Sequence, residues 1–227
     1  MTNALITRSV TISIGGRILV TNLNLVVEPG TAATIMGPSG SGKSTLIAFI
    51  GGHLDSSFHA TGRVLVGDRD VTDLPPERRG IGMLFQDDLL FPHLSVGANL
   101  AFGLPASIKD RRVRRAHIAQ ALEEAGLSGF EERDPATLSG GQRARVALMR
   151  TLLAAPKALL LDEPFSKLDA ELRRDFRHFV FDRAAADRLP VLLVTHDPED
   201  AAEANGEILT LGFRAPAAVH CGPRRRF

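Results

Sequence analysis

Nine residues, Gly37-Pro38-Ser39-Gly40-Ser41-Gly42-Lys43-Ser44-Thr45, constrain this chain more than any other stretch. An apolar, β-type run from Thr31 to Met36 leads into them, and Thr45 to Ile50 reads as the helix that follows. Between a strand and a helix, the glycines let the backbone curl until its N–H groups point inward, and the helix N-terminus adds the positive end of its dipole. That is a cradle for phosphate. In it Lys43 reaches the β- and γ-phosphates of a nucleoside triphosphate, and the Ser44 hydroxyl ligates Mg²⁺.

Two further patterns complete the chemistry. Ala158 to Leu161 is an apolar run of strand length that ends in Asp162, Glu163 and Pro164. Burial of that strand holds Asp162 near the magnesium, directly or through a water. Glu163, one residue on, points elsewhere and can act as general base on the attacking water. The other pattern, Leu138-Ser139-Gly140-Gly141-Gln142, sets a serine and two glycines before a helical stretch. Open N–H groups at that helix start make a second small-residue anion site.

Composition bounds the rest. With 44% hydrophobic and 23% charged residues and a net charge of +1, the chain can bury a core and carries no broad basic face for nucleic acid. Cys221 is the single cysteine, so disulfide frameworks and multi-thiolate metal sites are out. The first residues lack the layout of a signal peptide, and no stretch approaches the ~20 apolar residues of a transmembrane helix. Strands are expected at Ala4 to Val10, Ile18 to Val20, Asn24 to Val27, Arg63 to Val66, Ile81 to Phe85 and Val191 to Thr195. Helical spacing links Ile118, Ala121, Leu122 and Ala125, then Val146, Met149 and Leu153, then Leu172, Phe176, Phe179 and Val180. Strands alternating with helices predict an α/β fold with a mostly parallel sheet covered on both faces, and the helix-rich middle, about 87–153, reads as an inserted subdomain.

With Leu138–Gln142 lying between the two phosphate motifs, residues 4–212 resemble the ATP-binding cassette (ABC) family. The resemblance implies a P-loop NTPase core with a parallel-rich sheet, an N-terminal antiparallel β subdomain and the inserted helical subdomain, together one ATPase domain over 1–212. It implies ATP and Mg²⁺ as ligands and ATP hydrolysis as the activity. It also implies a head-to-tail dimer with a second copy, in which Ser139, Gly140, Gly141 and Gln142 of one copy close over ATP held by the other copy's phosphate loop. By position, Gln86 matches the glutamine that contacts Mg²⁺ or the lytic water, His196 the histidine that contacts the γ-phosphate, and Asp169 the aspartate that crosses the dimer. Ile14 stands where the family places an aromatic ring on the adenine. The chain has no Trp or Tyr, and its first Phe is Phe49. The expectation is therefore a loosely held base, with weakened ATP affinity and poor discrimination against GTP. Ile14 can still cover the base by apolar contact, or the second copy can supply a ring.

The stretch Phe85 to Val96, with Asn99 and Leu100 after it, resembles bacterial import ATPases of the sulfate, polyamine, iron and thiamine type. Pro135 to Leu148 and Asp88 to Phe91 resemble a subgroup linked to thiamine-like and other small solutes. That resemblance implies a peripheral subunit on the cytoplasmic face of the inner (plasma) membrane, bound to transmembrane permease subunits and indirectly served by a solute-binding protein, with no nucleic acid. Phe91 and Leu94 would line a groove for a permease helix, pack the subdomain, or do both. An efflux or lipoprotein-release cassette would use the same motifs. Non-transport ATPases of the family usually carry two cassettes, long coiled coils or zinc-binding insertions, and one motif set with one cysteine argues against them. The tail 213–227, with Arg224-Arg225-Arg226, is too short for a regulatory domain; it reads as a solvated end or a contact to anionic lipid.

Overall fold

A computed structural model describes residues 3–211. The chain runs through β1 (Leu5–Ile14), β2 (Arg17–Val27), β3 (Ala32–Met36), α1 (Lys43–Gly51), β4 (Phe58–Val66), β5 (Arg69–Asp70), α2 (Pro76–Arg79) and β6 (Ile81–Leu84). It continues through α3 (Val96–Gly103), α4 (Arg111–Glu124), α5 (Gly140–Leu153), β7 (Ala158–Asp162), α6 (Ala170–Ala186), β8 (Val191–Val194), α7 (Pro198–Glu203) and β9 (Glu207–Thr210). Two compact units result. One takes the described residues up to Met83, Lys157–Glu163 and those from Phe181 on; the other takes Leu84–Pro156 and Pro164–Val180.

The first unit holds two sheets. A five-stranded sheet runs β6-β7-β8-β3-β9, and β3 pairs parallel with both β8 and β9. Its central strands are buried along their length, as expected where both faces are covered. An antiparallel sheet runs β2-β1-β4-β5. Leu46, Ile47 and Ile50 of α1 join Ile35, Leu160 and Leu192 of the parallel sheet and Leu5, Ile12 and Val64 of the antiparallel one in a single core. Each fully buried side chain of this kind contributes about 1.5–3 kcal/mol.

The antiparallel sheet departs from the expected strand breaks. Ile18–Val20 and Asn24–Val27 belong to one strand, β2: Asn22, at φ 46°, sits in an irregularity between the Val20–Ile12 and Leu23–Val10 pairs, and the ladder resumes beyond it. Its N–H donates to Thr11 Oγ1 at 3.0 Å, and Asn24 Oδ1 accepts from the Ser9 N–H at 2.9 Å. A bulge in β1 between Arg8 and Thr11 then brings Ser13 opposite His59 and Ile14 opposite Phe58 on β4.

The second unit is helical. Val96 and Leu100 of α3, Ala121 and Leu122 of α4, and Val146 and Met149 of α5 form its core, with Phe179 packed against them. The expected helical stripes fall inside observed helices, except that Ala125 is the residue capping the end of α4.

Candidate active site

The register of the parallel sheet brings three strand ends to one edge. Ile35 and Asp162 both pair with Val194, so the loop after β3, the carboxylates ending β7 and the residues after β8 leave the sheet at one level. Carboxyl ends of parallel strands are where such sheets bind ligands.

Gly37 opens the loop at φ 151°, and a Cβ there would stand 2.4 Å from the Leu211 carbonyl oxygen. Only glycine fits. Gly42, in the left-handed region, caps the start of α1. Lys43 is 7% exposed and folds back so that Nζ donates to the carbonyls of Gly37 at 2.8 Å and Pro38 at 3.0 Å. Ser41 Oγ is buried in the same loop with no hydrogen-bond partner, the kind of orphaned hydroxyl a phosphate would satisfy.

Ser44 Oγ donates to Asp162 Oδ1 at 3.3 Å. Burial pushes the Asp162 carboxyl above its ordinary range; the Ser44 bond pulls it down and the Glu163 charge pushes it up again. Glu163 sits at φ 48°, a left-handed conformation that costs a non-glycine residue about 1–3 kcal/mol. Its N–H still donates to the Val194 carbonyl at 2.9 Å, so the strand stays paired while the side chain is turned out of the ladder. Glu163 Oε1 then lies 3.2 Å from His196 Nδ1. His196 is held through its neighbour: buried Thr195 donates Oγ1 to Asp200 Oδ2 at 2.8 Å and accepts from the Asp197 N–H at 3.1 Å. Sequence reading missed the Thr195–Asp200 pair, whose only signal is an acid five residues along in a short helix.

Gly37 to Gly40, Gly42 to Thr45, Glu163 and His196 line one cleft of about 590 Å³, together with Ile14, Leu19 and Phe58. That volume falls in the range of ligand sites. Asp162 joins it through Ser44. Phe58 lines the cleft although no sequence motif marks it.

The second unit has its own cleft of about 520 Å³, lined by Gln86 to Leu90, Pro92, Gly140, Arg143 and Lys167 among others. Ser139 caps α5: its Oγ accepts from the Gln142 N–H at 3.3 Å, and Gln142 Oε1 accepts from the Ser139 N–H at 3.0 Å. A capping hydroxyl that accepts keeps its own proton to donate. Gly141 also serves packing, because a Cβ there would come 3.1 Å from Leu172 Cδ2. Asp169 caps α6, accepting from the Leu172 N–H at 3.0 Å. Beside Gln86, Asp88 accepts from Arg143 Nε at 3.1 Å, and Asp87 pairs with Lys167.

Phe91 and Leu94 are not among the residues lining this cleft, whereas Leu89, Leu90 and Pro92 are. Asn99, fully buried, ties down the backbone there: its Oδ1 accepts from the Phe91 N–H at 2.8 Å while Nδ2 donates to the carbonyls of Phe91, Leu94 and Ser95. The Phe91 ring lies against Phe102, centroids 4.7 Å apart, with the Arg150 guanidinium over it.

A phosphate-cradling loop between a parallel strand and a helix, with carboxylates ending a strand two places along the same sheet, defines a P-loop nucleoside triphosphatase. The family model described as ABC transporter matches residues 20–166, and the chain belongs to that family as an ATP-binding, ATP-hydrolysing cassette. It is 53% identical over 182 residues to the protein named "Uncharacterized ABC transporter ATP-binding protein YnjD" of Escherichia coli (strain K12), covering 80% of this chain and 83% of that one. YnjD is of the subgroup that Pro135 to Leu148 resembles. The chain is 42% identical over 213 residues to the sulfate/thiosulfate import ATP-binding protein CysA of Mycobacterium bovis, covering 93% of this chain but only 59% of that longer protein. Among solved structures, the dimeric structure of MJ0796, a bacterial ABC transporter cassette, matches with a TM-score of 0.75 and 32% identity, over 91% of this chain and 94% of that one. No helix among the described residues is long and apolar enough to cross a membrane. The basic tail 213–227 lies outside the described residues.

Proposed function

We propose that two copies of this chain enclose two ATP molecules and use their hydrolysis to drive import of a small solute, thiamine-like, polyamine or anionic, through transmembrane permease subunits at the cytoplasmic face of the inner membrane. A solute-binding protein delivers the solute. The observation that carries the reading is the gathering of Lys43, Ser44, Glu163 and His196 around one cleft at the carboxyl edge of the parallel sheet. Ser44 Oγ and Asp162 Oδ1 form a hard-oxygen pair from two elements, which suits Mg²⁺, a cation that needs few protein ligands beside phosphate oxygens. When bound, Mg²⁺ neutralises charge between the β- and γ-phosphates.

The chain's own groups divide the remaining work. The loop N–H groups and Lys43 hold the phosphates and stabilise the charge that develops on them. Glu163, turned out of its strand, takes the proton of the attacking water, and His196, beside it, meets the γ-phosphate. Gln86 adds a contact to the metal or the water and reports to the permease. Ser139, with its proton free to donate and Gly140 to Gln142 behind it, closes over the other copy's triphosphate, and Asp169 crosses the same interface. Hydrolysis removes the bridge between the copies and so shifts the population toward the open pair. The named dimeric cassette supports pairing, and the named import relative supports direction.

Steady-state ATPase assays and sedimentation test this together. Glu163→Gln should lower kcat at least about 100-fold and leave an ATP-loaded dimer. Ser139→Arg should bind ATP as a monomer that does not pair. Near-normal turnover in the first variant overturns the base assignment, and normal pairing in the second overturns the shared site.

A further inference from the structure

We propose that Phe58 is the residue that grips the nucleobase, and that it does so by its face, so the site accepts purines alike rather than selecting adenine. The proposal rests on the ATP-site reading above and adds to it a residue and a specificity. The polar groups lining the cleft, from the phosphate loop, Glu163 and His196, are suited to the triphosphate. The apolar side chains contributed by the antiparallel sheet are Ile14, Leu19 and Phe58. Ile14 ends β1, Phe58 begins β4, and the two are register partners. Partners directly opposite in an antiparallel pair point to the same face with Cβ atoms about 4.5–5.5 Å apart. Together they make one apolar tile.

Phe58 is half-buried and packed against the core of its unit, which anchors the ring while part of it lines the cleft. Among the described residues lining the cleft it brings the one phenyl ring. The ring expected at Ile14 is thus present one strand over, and the base is held more firmly than Ile14 alone would allow. Bases are told apart by donors and acceptors on their edges. The side chains of Ile14, Leu19 and Phe58 have none, and stacking is tolerant because every base has a π-face.

The absence of Trp and Tyr makes the test direct. Phe58→Trp places a sole indole at the site in the full chain. ATP and GTP should both quench its emission, with Kd values within about threefold of each other, while tripolyphosphate, which lacks a base, should bind without quenching. By calorimetry, Phe58→Leu should weaken ATP and GTP about three- to tenfold and leave tripolyphosphate unchanged, with an unaltered circular dichroism spectrum. Unchanged ATP affinity in Phe58→Leu, equal weakening of tripolyphosphate, or ATP preferred over GTP more than about tenfold overturns the proposal. Those results leave the phosphate site standing. Lys43→Ala should lose all three ligands; if it binds them like the wild type, or the wild type binds none, the ATP-site reading itself fails and this proposal with it.

Discussion

Helix α1, which carries the phosphate loop at its start, ends with no basic residue in its last turn. Its closing carbonyls are met instead by Arg79, arriving from α2. Arg79 Nη1 donates to the carbonyls of Phe49 and Ile50, each at 2.9 Å, Nε donates to Leu74 at 2.7 Å, and Nη2 donates to Thr72. The residue is only 6% exposed, and its charge sits at the negative end of the helix dipole. Arg79→Met keeps much of the stem and removes every donor. Leaving a buried acceptor unpaired costs about 1–3 kcal/mol. Phe49 and Ile50 are buried, but the Phe49 carbonyl keeps the Gly52 N–H at 3.2 Å, and Leu74 and Thr72 are half-buried and can recruit water. The expected loss is therefore about 2–4 kcal/mol, from the stranded Ile50 carbonyl and the loss of hydrogen bonds from a charged donor. For a chain of this size that lowers Tm by roughly 4–16 °C. Urea unfolding followed by circular dichroism measures it. Arg79→Lys restores a charge but not the fork and should recover at most about 1 kcal/mol. A Cβ on Gly52 would stand 2.3 Å from Arg79 Nε, so Gly52→Ala should expel the guanidinium and cost a similar amount. A loss below about 1 kcal/mol in Arg79→Met would refute the capping argument.

Asp162 carries a raised pKa because it is desolvated, so the folded, metal-free protein binds its proton more tightly than the unfolded chain does. Its contribution to stability is present below the ordinary aspartate range and is lost as pH rises through the raised value. Asp162→Asn should therefore raise Tm at pH 7 in the presence of chelator while abolishing Mg²⁺-dependent ATPase activity; a lowered Tm would contradict this. Asn99→Leu takes the partner from the Phe91 N–H and the Leu94 carbonyl, while the Phe91 and Ser95 carbonyls keep the N–H groups of Leu94 and Asn99, and should cost about 2–3 kcal/mol. Hydrogen exchange at the Phe91 amide should accelerate while ATP affinity stays unchanged, and undiminished protection there would refute the role given to Asn99.

The motifs were legible because their chemistry is local. Gly37 to Thr45, Ala158 to Glu163 and Leu138 to Gln142 each carry within a few residues the backbone freedom, the apolar strand or the cap that their job needs, and the helical stripes at Ile118–Ala125 and Val146–Leu153 repeat at a period one can count. The Ser139–Gln142 cap is local in the same sense, since both partners lie on one turn. β2 was harder, because Asn22 looks like a break until Thr11 is seen to take its N–H. Short elements such as α2, α7 and β9 give too little periodicity to be read alone, and β9 exists because β3 offers an edge.

From its letters alone, then, this chain determined a glycine-rich loop between a strand and a helix, and the apolar strand that ends in Asp162 and Glu163. Tertiary structure decided what those residues stand beside. Phe58 meets Ile14 only through a strand register shifted by a bulge, Glu163 meets His196 only because two parallel strands end level, and Arg79 reaches α1 from another element. Such meetings depend on how distant segments pair, and pairing is settled by the shared core rather than by any one stretch of chain.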